Sequence, residues 1–362
     1  MQVNSSENMF FFAWMFTTLL LVYKIIWEIY LYILAILVLY ILYKVLAKKY
    51  INRIEIVGQG ILITGCDTGL GHDTALRLAK TGFTVFAGCL KPEGEGANAL
   101  REKGGERLHV VPLNVTSDES VNQAVDIVKS KIPDSALWAV INNAGIEFIA
   151  DVEFTQIEMM KRVAEVNFYG MVRVTKACLP LIRKSRGRVI NVTSVKGRLP
   201  LPTDSAYIVT KWAGEAFSDI LRREMYRFGV KVIVMEPGHF GGVTAMLMNK
   251  NAKLAEDYLN EAWDEASPDV KVTYGREYID KLINGLSHIA DAGATSTDPV
   301  SDAMQDAVEN VNPKCRYLVH GTKRPFDKYC VLAVLNQVLP EAVSDYLVRK
   351  VFPLPHAAQQ VR

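Results

Sequence analysis

From Val57 to Gly238 the chain keeps returning to one alternation, and that alternation restricts the fold more than any other feature. Short Val- and Ile-rich runs (GILITG, FTVFAGCL, RLHVVPLNV, WAVINNAG, GRVINVTS, VKVIVMEPG) alternate with stretches of helical period such as HDTALRLAKTG and SDESVNQAVDIVKSKI. The runs are apolar nearly throughout, as expected of strands buried on both faces. Strands of that kind joined by helices make a parallel sheet covered on both sides. The expected fold class is α/β, a doubly wound parallel sheet.

The N-terminus differs in kind. Met9–Tyr23 and Ile25–Leu46 are two apolar runs interrupted by Lys24 and Glu28. The second reaches the ~20 residues that a bilayer crossing needs. One long tilted helix and two spans with a tight connection both fit. The stretch lacks the basic n-region and cleavage site of a secretory signal and the arginines of a mitochondrial transit peptide. Lys44, Lys48, Lys49 and Arg53 follow it, so the positive-inside rule places the attached domain in the cytosol. The expected organisation is a membrane anchor with basic flank over 1–56, a dinucleotide-binding core over 57–242, and a substrate-covering helical lobe with C-terminal extension over 243–362.

The 362 residues carry a net charge of +2, with no basic stripe that would suit nucleic acid. The five cysteines are scattered, so neither a disulfide framework nor a metal site is signalled. The NxS/T triplets at Asn4, Asn114 and Asn191 read as accidental, the last two falling in predicted buried strands.

Three motifs carry chemistry. Thr64–Gly71, TGCDTGLG, ends the first strand and opens the first helix. There glycines let the backbone approach a pyrophosphate and the helix N-terminus supplies N–H donors, which makes the sheet Rossmann-like. An acid at the end of the second strand commonly holds the adenosine ribose, but the chain reads Gly88-Cys89-Leu90-Lys91. Lys91 would suit a 2′-phosphate, or is a solvated loop lysine. Asn142–Gly145, NNAG, ends the fourth strand, where small residues border a ligand and amides tie strands together. Ser194 ends the fifth, and Tyr207 and Lys211 follow on one face of a helix, one turn apart. Oxidation of an alcohol needs a base; a phenol, ordinarily near pKa 10, becomes one when an ammonium or a cationic nicotinamide favours the phenolate. Ser194 would hold the substrate oxygen.

Together these motifs and Pro237-Gly238 resemble a short-chain dehydrogenase/reductase, over about Val57 to Gly242. The resemblance narrows to the branch holding 17-beta-hydroxysteroid dehydrogenase type 2, microsomal retinol dehydrogenases and mitochondrial 3-hydroxybutyrate dehydrogenase. ITGCDTGLGHDTA, LWAVINNAG, LPLIRKSRGRVINVTS, EAFSDILRREMYRFGVKV and LPEAVSDYLVRKVFP carry it. It implies Asn167, Ser194, Tyr207 and Lys211 as the catalytic set. Asn167 would support a water-linked proton path to Lys211, or be a helix-kink asparagine bonded to backbone, or both. It implies a cofactor held by Thr64, Gly65, Asp67, Gly69, Leu70, Gly71, Cys89, Asn114, Val115, Asn143, Ala144, Gly145, Tyr207, Lys211, Pro237 and Gly238. NAD is the expected cofactor, with NADP not excluded.

The likeness further implies a hydrophobic small-molecule substrate, an endoplasmic-reticulum membrane and a homodimer; the cytosolic side rests on the basic flank, since some of the retinol enzymes resemble lumen-facing proteins. The leading expectation is NAD-dependent oxidation of a secondary alcohol of a steroid, or of retinol. The runner-up is a small 3-hydroxy acid, whose carboxylate Arg198, Arg222 and Arg223 would meet unless they form surface salt bridges. A non-catalytic dinucleotide-binding scaffold at the membrane is the rival of another class. Thr244 would reach the carboxamide, although Gly241 and Gly242 alter the usual spacing. Met246, Leu247 and Met248 suit a lipid-like substrate or core packing. Phe326–Pro355 fits a membrane-surface helix or a cover over the core.

Overall fold

The computed structural model describes residues 5–49, 52–133, 137–244, 249–323 and 326–358. Asn4 and the proposed substrate contacts Met246, Leu247 and Met248 lie outside them. The chain divides into two compact units, Met1–Arg53 and Ile54–Arg362.

In the first unit, α1 (Ser5–Lys49) runs unbroken for 45 residues. With no Gly or Pro to stop it, the helix continues through Lys24 and Glu28. Of the two arrangements open from sequence, it forms the single helix. Its Phe12–Tyr43 portion, 32 residues, is apolar and long enough to cross a membrane. At 1.5 Å per residue that portion is about 48 Å long, more than the ~30 Å hydrocarbon core.

The second unit is built on a seven-stranded sheet in the order β3-β2-β1-β4-β5-β6-β7. Its strands are β1 (Gly60–Thr64), β2 (Thr84–Cys89), β3 (Leu108–Pro112), β4 (Leu137–Asn142), β5 (Arg188–Val192), β6 (Lys231–Pro237) and β7 (Arg316–Val319), and every pairing is parallel. Alternation along the strands sends residues to two faces. Ile61 and Ile63 pack with α2 (Gly69–Lys80), α3 (Glu95–Lys103) and α11 (Asp298–Glu309); Leu62 packs on the other face with α4 (Asp118–Lys131), α6 (Gly170–Ser185) and α7 (Ser205–Met225). Two buried faces explain the uninterrupted apolar runs. The strand order reverses between β1 and β4, and the carboxyl ends there open the crevice in which such sheets bind ligands.

A third cluster joins α5 (Ile157–Ala164) to α8 (Asn249–Glu265), α9 (Pro268–Tyr274) and α10 (Arg276–Ala292). A fourth packs α12 (Lys328–Leu335) and α13 (Glu341–Val351) around Tyr207. The segment 243–362, expected to be a helical cover, thus also supplies α11 and the seventh strand. β7 is four residues long and leans on β6 alone, too short a run to show a strand pattern. Asn191 is buried in β5 as expected, but Asn114 is not in a buried strand. It lies exposed beyond β3, where its side-chain oxygen accepts from Thr116 N and Oγ1. All five cysteines are free, and no cluster of metal-binding side chains occurs among the described residues.

Candidate active site

The turn after β1 is shaped by what a side chain would strike. Gly65 has φ +69, and a Cβ there would lie 2.8 Å from Ala144 Cα; a Cβ on Gly71 would lie 2.4 Å from Asn143 Nδ2. The turn is thereby pressed against NNAG and held there. Asn143 Nδ2 donates to Thr64 O and Gly65 O at 3.0 and 3.1 Å, while Asn143 N and Ala144 N donate to Thr64 Oγ1. Asn142 extends the tie to β5 through Asn191 at 2.8 Å. Thr68 stands at the N-cap of α2 without a side-chain cap, which leaves the first-turn N–H groups for an anion. A cradle without room for a Cβ, beside an uncapped helix start, fits a dinucleotide pyrophosphate.

Asp67 sits where the sequence showed no acid. Its carboxylate accepts from Leu90 N at 2.9 Å and Lys91 N at 2.8 Å. An acid from the first turn therefore stands at the end of the second strand. Cys89 turns the other way, buried in the core.

At the opposite end of the crevice, Ser194 stands two residues beyond β5, and Tyr207 and Lys211 share a face of α7. All three are buried, as is Asn167. Lys211 Nζ lies 5.1 Å from the centre of the Tyr207 ring and donates to Val192 O at 3.1 Å. Burial pulls Lys211 down to about 8, opposed by Glu147. Burial raises the Tyr207 phenol, and Glu147 and Asp204 add to this; Lys196 and a hydrogen bond with Ser194 pull it back. Asn167 lies in a π turn, Glu165–Tyr169, between α5 and α6. Its oxygen accepts from Ile146 N, and its Nδ2 donates to Ile146 O and Thr210 Oγ1. The amide thus fastens the segment after NNAG to α7.

One cleft of about 610 Å³ joins the two ends, within the usual size range for a ligand site. The cradle residues Gly65, Asp67, Gly69, Leu70, Asn114, Val115, Asn143, Ala144 and Gly145 line it. So do Ser194, Tyr207, Lys211, Pro237, Gly238 and Thr244. Thr64, Gly71, Cys89 and Asn167 stand behind this lining. The remaining wall is largely apolar, including Ile146, Phe148, Met159, Val163, Leu201 and Phe352. Arg198, Arg222 and Arg223 are not part of it. Arg198 pairs with the buried Glu236 at 2.8 Å and Arg222 with Asp219 at 3.1 Å, as in the salt-bridge alternative.

A family model described as short chain dehydrogenase matches residues 59–255. The chain belongs to the short-chain dehydrogenase family. It is 41% identical over 304 residues to mitochondrial D-beta-hydroxybutyrate dehydrogenase of Bos taurus, covering 82% of this chain and 86% of that one. It is 38% identical over 309 residues to estradiol 17-beta-dehydrogenase 2 of Mus musculus (84% and 78%). With mouse retinol dehydrogenase 7 the identity is 36% over 283 residues (78% and 86%). The crystal structure of a short-chain dehydrogenase from Streptomyces avermitilis has the same fold, with TM-score 0.62 at 21% identity, over 83% of this chain and all of that one. As a short-chain dehydrogenase it is an NAD(P)-dependent oxidoreductase acting on CH–OH.

Several features of this dehydrogenase's site escaped the sequence motifs. Glu147, Lys196 and Asp204 form a charge cluster beside Tyr207. Asp327 caps α12 and also accepts from His239 N at 3.2 Å and Gly321 N at 3.0 Å. An Asp before the apolar run KYCVLAVL is an N-cap signal that would have found its first role. Helices α12 and α13 cover the Tyr207 cluster on one side and leave Val331, Val334, Val343 and Tyr346, with Val338 in the turn between them, exposed on the other.

Proposed function

We propose that this chain is a membrane-anchored, NAD-dependent dehydrogenase that oxidises a secondary alcohol of a steroid, or retinol. Residues 1–56 would be the anchor, 57–242 the catalytic core, and 243–362 the substrate cover. One observation carries the reading: Ser194, Tyr207 and Lys211 meet at one end of a largely apolar cleft whose other end is a glycine cradle. Ser194 orients the carbinol oxygen and Tyr207 takes its proton. Lys211 keeps positive charge beside the phenol, and Asn167 holds the segment after NNAG against α7. The nicotinamide, when bound, supplies the hydride acceptor. Thr64 and Gly71 shape the cradle that Asp67, Gly69, Leu70 and Asn143 line; Pro237, Gly238 and Thr244 stand at the nicotinamide end. Asp67 supports NAD, because a carboxylate at the end of β2 suits ribose hydroxyls and repels a 2′-phosphate.

The 3-hydroxy acid is the second reading, favoured by the 41% identity to a hydroxybutyrate dehydrogenase. Lys196 is already engaged by two carboxylates, and Arg198 and Arg222 are paired away from the cleft, so a substrate carboxylate would have to meet Arg162, which lines the cleft and donates to Tyr258 Oη at 3.0 Å. The basic flank of α1 supports a cytosolic domain at the endoplasmic reticulum, and the exposed apolar side of α12 and α13 supports contact with a lipid surface. A homodimer rests on the family resemblance alone.

NADH formation by detergent-solubilised protein over a panel of steroids, retinol and 3-hydroxybutyrate tests the reading. Steroid or retinol turnover is the expected result. Turnover of the hydroxy acid alone would move the assignment to the second reading, and NAD binding without any turnover would leave the scaffold. Tyr207→Phe abolishes turnover while NADH still binds.

A further inference from the structure

Charged side chains outside the expected set converge on the phenol of Tyr207. Lys196 follows Ser194, whose hydroxyl accepts from Lys196 N at 3.2 Å. Its Nζ lies 5.3 Å from the centre of the Tyr207 ring, almost as near as Lys211. The same Nζ donates to Glu147 Oε1 and, at 2.6 Å, to Asp204 Oδ2. The Glu147 and Asp204 side chains retain only 7% and 4% exposure. Burying charges this way costs desolvation, and an apolar packing of similar volume is often as stable. The backbone adds a further cost. Thr203, just before Asp204, has φ 65, a left-handed conformation that is strained for a β-branched residue.

The protonation pattern follows from the contacts. Asp204 Oδ1 is buried with no hydrogen-bond partner, while its Oδ2 and Glu147 Oε1 share the Lys196 ammonium. Burial and the neighbouring Glu147 hold Asp204 well above the usual carboxylate range, against the pull of Lys196. For Glu147, burial is outweighed by Lys196, and its pKa is lowered. Lys196, despite its burial, is held above the ordinary ammonium range by Asp204 and Glu147. The groups facing the phenol are Lys211 and Asp204 from its own helix, Ser194 and Lys196 from the turn after β5, Glu147 from the segment after β4, and Tyr329 from α12.

We propose that Lys196 is a second cation for the Tyr207 phenolate, held in place by Glu147 and Asp204, and that this cluster sets the pH at which the base works. The inference rests on Tyr207 being the base. Lys196 acts on the phenol through space and is a positioning residue. Its effect complements Lys211, which desolvation leaves easier to deprotonate. A cation fixed by two acids keeps its charge at pH values where Lys211 loses its own.

The test is the pH profile of kcat/KM for NAD-dependent oxidation of estradiol by the full chain, alongside a tyrosinate absorption titration with saturating NAD and the Tyr207→Phe signal subtracted. Lys196→Met moves the acid limb and the tyrosinate midpoint upward by about one unit or more, the size expected for losing a nearby opposite charge. Lys196→Arg restores both. Glu147→Gln removes the acid that most raises the phenol, leaves Lys196 paired with Asp204, and moves both downward; it decides the matter if Lys196→Met fails to fold. An unmoved profile and midpoint in these variants, with NADH binding intact, overturns the proposal. Persistent turnover in Tyr207→Phe would instead refute the base assignment. The tyrosinate midpoint needs no substrate, so it still decides whether Lys196 acts on the phenol.

Discussion

Asp327 is the residue through which α12 is tied to the Gly238–His239 side of the cleft, and replacing it should separate the two. The side chain is 1% exposed. Oδ2 accepts from His239 N and Gly321 N; Oδ1 accepts from Tyr329 N at 2.9 Å and Cys330 N at 3.3 Å. Gly238 must be glycine for this, since a Cβ there would lie 2.2 Å from Oδ2. Asp327→Asn keeps one accepting oxygen and turns an NH₂ toward the other pair of donors. Two buried N–H groups lose their acceptor, at about 1–3 kcal/mol each. Relief of the buried charge returns part of that, so the net loss is roughly 2–4 kcal/mol, a fall in Tm on the order of 5–10 °C. Gly238, His239 and Tyr329 all line the cleft, so KM for the alcohol should rise even below the melting range. The pH dependence has a definite sign. Burial raises the Asp327 carboxyl, but the N–H donors of Gly321 and His239 outweigh it, and the folded pKa is lowered. Its stabilisation is complete above the unfolded value of about 3.9 and disappears as pH falls through the lower folded value. The gap between wild type and Asp327→Asn, followed by thermal melting across pH, is therefore flat at neutral pH and closes in acid. Equal melting of the two proteins at every pH would refute the clamp.

Two further substitutions test the cofactor end. Asp67→Asn removes the negative charge at Leu90 and Lys91, so the ratio of kcat/KM with NAD to that with NADP should fall by about tenfold or more, or ~1.4 kcal/mol; an unchanged ratio would show that Asp67 only braces the loop. Gly71→Ala places a methyl 2.4 Å from Asn143 Nδ2 and 2.5 Å from Gly65 O, so NADH affinity measured by fluorescence should drop at least tenfold with the fold retained by circular dichroism.

Legibility in the sequence followed locality in the chain. The buried strands could be read because a strand covered on both faces is apolar residue by residue, and β1, β2, β4, β5 and β6 lie within the runs that showed it. Tyr207 and Lys211 could be read because their relation is one helical turn. β7 could not, since four residues at a sheet edge carry no period and the strand is specified by its pairing with β6. The acid at the end of the second strand belongs to the first turn of the chain. Tertiary folding brings Asp67 to Leu90 and Lys91, and no spacing rule connects them.

The charge cluster shows what such gaps mean for chemistry. Glu147 and Lys196 are 49 positions apart, on segments that follow different strands, and become partners only because β4 and β5 are neighbours in the sheet. The family motif gives the phenol and one ammonium; the parallel sheet decides which other charges stand around them. Two chains with the same Ser-Tyr-Lys pattern can then hold the phenol at different proton affinities, according to the residues that follow NNAG and the catalytic serine. In this chain those residues are Glu147 and Lys196. On the proposed assignment of Tyr207 as the base, its working pH becomes a property of the strand ends as a set, and substitutions there should alter it while the motif itself stays intact.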